Sequence, residues 1–111
     1  MEQPFQNSEP AVTVLYEILM KQVETLGKVT VEPKKTSIHV KNRAAFLGVH
    51  PKKRWLDINI VTDAPIKSAK ILKTEQVSKS RYHNMVRIGS EKDIDPELLG
   101  WLKQAYTLMA C

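Results

Sequence analysis

Residues 55–60, Trp55-Leu56-Asp57-Ile58-Asn59-Ile60, decide the fold, because Leu56, Ile58 and Ile60 alternate strictly with Trp55, Asp57 and Asn59. A period of two marks a β-strand with one face in the core and the other turned away from it. The cationic turn Pro51-Lys52-Lys53-Arg54 opens this strand and Asp63-Ala64-Pro65 closes it. Towards the N-terminus the alternation recurs. Ala44 to Val49 reads as a strand entered through Asn42-Arg43, and before it Ile38 and Val40 alternate with Ser37, His39 and Lys41. Pro33 to Lys35 makes a further turn, preceded by Val29 and Val31 alternating with Lys28, Thr30 and Glu32. Towards the C-terminus, Tyr82 to Ile88 sets Val86 and Ile88 against His83, Met85 and Arg87. Between them Ala69 to Val77 holds adjacent Ile71 and Leu72 in polar surroundings; it is assigned to an exposed edge strand, with an irregular segment as the alternative.

The period changes at both ends of the chain. Val12, Leu15, Tyr16, Leu19, Val23 and Leu26 recur at three- and four-residue steps, so a helix is expected from a Ser8 cap through a tolerated Pro10 to a stop at Gly27. A second helix is expected from an Asp95 cap and Pro96 at its first position, with Leu98, Trp101, Leu102, Ala105, Tyr106 and Met109 as its apolar stripe. Gly100 weakens that helix slightly. One apolar stripe per helix and one apolar face per strand predict an α+β fold: an antiparallel sheet of about five strands, in the order α-β-β-β-β-β-α, with the N-terminal and C-terminal helices packed on one face. With 111 residues, 42% hydrophobic and 26% charged, the expectation is a single domain over 1–111 whose first eight residues form a flexible segment. Internal repeats and low-complexity tracts are absent from the sequence.

The net charge of +5 is unevenly placed: −3 over residues 1–27, +7 over 28–54 and +1 over 55–111. A basic middle third raises the local concentration of anionic partners, although a solvated charged surface would look the same. A lone cysteine, Cys111, excludes an internal disulfide and a cysteine-based metal cluster, and favours a reducing compartment. The polar start does not resemble a secretory signal, and no apolar run approaches the ~20 residues of a membrane helix. A cytoplasmic protein without membrane association is expected.

If the aliphatic residues of the strands face the helices, the pleat turns His39, Lys41, Trp55, Asp57, Asn59, His83 and Arg87 onto an open face. Cations for phosphate beside a flat ring for stacking suit single-stranded nucleic acid or another planar anion. Trp55 is the sharpest residue of this set, with a ring packed over neighbouring strands as its structural alternative. The turns Lys34-Lys35 and Lys52-Lys53-Arg54, with Lys41 and Arg43 between them, are expected to converge into a positive rim; lysine-rich turns also keep sheet edges from pairing. The expected function is therefore a non-enzymatic binding module for nucleic acid or another anionic partner. Its site residues are Lys34, Lys35, His39, Lys41, Lys52, Lys53, Arg54, Trp55, His83 and Arg87, with no catalytic residue, metal or cofactor. A protein-interaction or homodimer module with Trp55 and Met85 as anchors is the alternative. An enzyme using His39 or His83 ranks behind both: His39, His50, His83 and Asp57 lack the local spacing of metal ligands, His39 and Asp57 lie two strands apart, and Cys111 sits at the chain end.

The stretches VTVEPKKTSIHVKNRAAFLGVHPKKRWLDINI and YHNMVRIGSEKDIDPELLGWLKQAY, with the helix-strands-helix order, resemble a small bacterial and archaeal domain family of unknown function. Members of that family stand alone or follow other domains, some nuclease-like, and some carry the label of predicted transport protein. The resemblance covers nearly the whole chain, implies the fold above, and draws attention to Lys34, Lys35, Phe46 and His83, with Phe46 as a packing residue. It implies no catalytic residue.

Overall fold

The computed structural model describes residues 8–109. Helix α1 (Pro10–Glu24) is followed by strands β1 (Thr30–Pro33), β2 (Ile38–Lys41), β3 (Ala45–Pro51), β4 (Leu56–Thr62), β5 (Ile71–Ser78) and β6 (Arg81–Ile88), a 3-10 turn (Glu91–Asp93) and helix α2 (Pro96–Leu108). The strands form one antiparallel sheet in the order β1-β2-β3-β4-β6-β5. The sheet thus has six strands where about five were expected, and β5, the segment assigned to an exposed edge strand, lies at its edge. The connection after β4 carries the chain to the far edge, and β6 returns between β4 and β5.

The alternation in residues 55–60 is realised literally. Leu56, Ile58 and Ile60 are fully buried, and the register places Ile58 opposite Val49 on one side and Val86 on the other. Ile38, Val40, Val86 and Ile88 join them in one cluster with Val12, Leu19 and Val23 of α1 and Leu98, Leu102 and Ala105 of α2. Both helices therefore close the same apolar core, as the expected fold class requires. The central position of β4 also buries Asp57, Val61 and Thr62, which the alternation alone assigned elsewhere or left unassigned.

Several local expectations change. Ser8 does not cap α1: Glu9 is the N-cap without a side-chain bond, while Ser8 Oγ donates to the carbonyl of Lys52 at 2.7 Å. The helix start is tied instead to the turn before β4, since Glu9 N–H also donates to Lys53 O and its carboxylate lies 3.5 Å from Arg54. Ser8 is thereby anchored, and the rest of the expected flexible segment, residues 1–7, lies outside the described residues, as does Cys111. The last helical residue of α1 is Glu24, with Thr25 as C-cap. Gly27 follows at φ +146°, a backbone conformation that L side chains rarely adopt, and a Cβ there would collide with the Tyr106 hydroxyl. Val31 is exposed on β1, an edge strand of the sheet.

Asp95 caps α2 as expected, accepting from Leu98 N–H at 2.9 Å, with Pro96 behind it. Its carboxylate also pairs with Lys70, which reaches Glu97 at 2.8 Å, so the β4–β5 connection is fastened to the start of α2. The hydrogen bonds to Asp95 and then Glu97 push the Lys70 pKa up to about 12. Among the described residues no helix is long and apolar enough to cross a membrane.

Candidate functional site

The face of the sheet away from the α1/α2 cluster is organised by the strand register. One row runs Glu32, His39, Gly48, Asn59, Met85, Lys73 from β1 across to β5. Beside it stand the row His50, Asp57, Arg87 and the pair Val61, His83. Three histidines from three strands thus surround a glycine, and a cavity of about 120 Å³ opens among His39, Ala45, Leu47, Gly48, His50, Asn59, Val61 and His83. A side chain at Gly48 would stand in this space, its Cβ 3.6 Å from His50 Nε2 and 3.9 Å from Asn59 Cβ.

Asn59 Nδ2 lies 3.4 Å from His50 Nε2, a long hydrogen bond in which the amide donates to an unprotonated ring nitrogen. Burial is the main cause that pulls the His50 pKa below its ordinary 6.5, followed by the charges of Lys52 and His39; Asp57 opposes them. The unfolded chain therefore takes up this proton at a higher pH than the native protein does. Stability associated with His50 is complete above about 6.5 and falls as pH drops from there towards the native value. In an NMR titration the His50 ring should change protonation below pH 6.5, and His50→Gln should flatten the acid side of the stability profile; a His50 midpoint above 6.5 would contradict this environment.

Asp57 serves a different purpose from orienting a histidine. Its buried carboxylate accepts from Arg87 Nε at 3.1 Å, and the Arg87 guanidinium lies 4.4 Å from the centre of the Trp55 ring. Arg87 is held between a charge and a π-face, and one face of Trp55 is covered. The Trp55 indole N–H is buried without a partner among the described residues. No histidine is bonded to a carboxylate among the described residues, and no three His, Cys, Asp or Glu side chains there stand close enough to share a metal ion.

The expected rim is divided. The β1–β2 and β3–β4 turns lie at the same end of the sheet, so Lys34 and Lys35 share that end with Lys52, Lys53 and Arg54. Arg43 lies in the β2–β3 connection at the opposite end, and Lys41 ends β2 there, although its ammonium reaches back to the carboxylate that Lys34 also holds. Glu32 is clamped between Lys34 at 3.1 Å and Lys41 at 3.3 Å, and the hydrogen bond from Lys34, then that from Lys41, lowers its pKa. With Arg54 on Glu9 and Arg87 on Asp57, the cations of the rim without a carboxylate partner among the described residues are Lys35, Lys52 and Lys53 at the first end and Arg43 at the other. The structure joins His39 and His83 around one cavity and Trp55 to Arg87. It adds His50 and Gly48 of β3 beside Asn59, which the alternation of β4 had already placed on this face.

Two helices closing one side of a six-stranded antiparallel sheet, with a histidine-lined cavity on the other, define a small α+β domain with a single open face. The chain belongs to the family described as Domain of unknown function (DUF5655), whose model matches residues 1–109. In comparisons with curated proteins and with solved structures, nothing matched the chain.

Proposed function

We propose that this domain is a cytoplasmic, non-enzymatic binding module for an anionic polymer, with single-stranded nucleic acid as the partner that its open face suits best. The observation that carries the reading is the open face itself, with the Arg87–Trp55 pair and the histidine-lined cavity, bordered at one end of the sheet by the turns that carry Lys35, Lys52 and Lys53, which have no carboxylate partner among the described residues. Lysines without carboxylate partners neutralise phosphates and release counterions, whereas aromatic and imidazole rings accept unstacked bases. Of the large exposed apolar residues, Val14 lies on α1, and Val31 shares the helix-side parity of its partner Val40. A homodimer formed through the open face would call for an apolar patch there.

The test is fluorescence anisotropy of labelled single-stranded DNA and RNA across a salt series. Replacing both Lys52 and Lys53 by Glu should weaken binding about tenfold and reduce the salt slope. Unchanged affinity and slope would remove both lysines from the site. Absence of binding by the native protein at low salt would transfer the assignment to a protein-interaction or homodimer module, which sedimentation over a concentration range would then identify.

A further inference from the structure

We propose that the cavity over Gly48 is a seat for one pyrimidine base of a single strand, an inference that rests on the anionic-polymer reading of the same face. Size is the first argument. The cavity of about 120 Å³ is smaller than the 300–1,000 Å³ typical of sites for drug-sized ligands, and close to the ~150 Å³ that accommodates a benzene ring. It admits a single six-membered ring and leaves the attached sugar and phosphates outside, towards solvent.

Chemistry is the second argument. Ala45 and Val61 supply apolar side chains to the lining, and among the lining residues no lysine or arginine is present to hold a phosphate. The polar groups are imidazoles and one carboxamide, and burial favours the neutral form of His50. Flat, largely apolar surroundings without a lysine or arginine suit the π-face of a base better than an oxyanion. The Asn59 amide already donates from Nδ2 to His50, and nothing donates to its Oδ1 among the described residues. That oxygen is an acceptor for a ring N–H or exocyclic amine on the edge of a pyrimidine. The glycine is the third argument. Gly48 has no positive φ that would require it, and a Cβ would make only ordinary contacts, so backbone geometry does not account for its missing side chain, whereas an occupant of the cavity does.

The experiment compares oligothymidylate of about ten nucleotides with an abasic strand carrying the same number of phosphates, each titrated with the native protein, Gly48→Ala and Gly48→Val. The native protein should bind oligothymidylate about tenfold more tightly than the abasic strand, the effect of one accommodated base. Gly48→Val fills the cavity and should erase that preference while leaving abasic affinity unchanged; Gly48→Ala should reduce it. Far-UV circular dichroism checks each variant, and Gly48→Ala carries the comparison should the valine variant not fold. The Asn59 side-chain amide signal should move with oligothymidylate and stay in place with the abasic strand. Equal native affinity for the two strands, or a preference that survives in both variants, overturns the base seat and leaves the polymer reading intact. Failure of both strands to bind at low salt overturns the two together.

Discussion

Phe46→Ala is expected to destabilise the domain by about 4 kcal/mol, measured by urea unfolding with the slope checked for two-state behaviour. Phe46 is fully buried and meets the Tyr106 ring of α2 edge to face, with centroids 5.4 Å apart and planes at 88°. Its position explains the size of the effect. Between β2 and β3 the register steps by one residue on β2, Val40 to Lys41, and by two on β3, Leu47 to Ala45. Phe46 is the extra residue of this bulge, and its ring meets the helix layer. Tyr106 in turn donates its hydroxyl to Lys28 O, and its carbonyl accepts from Asn42 Nδ2. Truncation removes the transfer energy of a large ring and leaves a void beneath the residue that fastens α2 to the β2–β3 end of the sheet. A loss below about 1 kcal/mol would show that Phe46 is not a core residue in solution.

Asn84→Leu should cost about 3 kcal/mol although the two side chains share a branched shape. Asn84 is fully buried on β6. Its Nδ2 donates to Ile60 O at 3.0 Å and to Thr62 Oγ1 at 2.8 Å, while its Oδ1 accepts from Ile66 N–H at 3.0 Å and Thr74 Oγ1 at 3.3 Å. One carboxamide thus links β4, β5, β6 and the connection that carries the chain past β6 to the sheet edge. Leucine would keep the branched shape but strand the backbone N–H of Ile66 away from its acceptor. Hydrogen exchange should therefore accelerate most in residues 63–78, together with a lower urea midpoint. A midpoint within experimental error of the native protein would mean that water replaces the amide at little cost.

The fold was legible in the sequence wherever burial has one side. Alternation in residues 55–60 identified Leu56, Ile58 and Ile60 as core, and Asp95-Pro96 marked the start of α2, because pleat and cap geometry are properties of adjacent residues. The β5 segment was harder to read because seven of its eight residues are exposed, so neither periodicity nor hydrophobicity marks it as a strand. Parity likewise placed His39, Asn59, His83, Trp55 and Arg87 on one face. It gave no reason to prefer His50 over any other strand histidine, or to see Gly48 as the floor of a cavity.

The sequence by itself determined the types of the two helices and of every strand but β5, the two apolar helix stripes, the inward residues of those strands and the excess of cations between residues 28 and 54. Tertiary structure alone decided which side chains meet. The insertion of β6 between β4 and β5 brings Arg87 against Asp57 and Trp55, and the β2–β3–β4 register sets His39, Gly48 and Asn59 in one row. It also separates Lys41 from Lys52 and Lys53, although all three lie within the same basic third of the chain. The physical reason is that strand periodicity is local, whereas strand order and register follow from how the whole sheet buries its apolar face, and a one-residue slip would exchange its two faces.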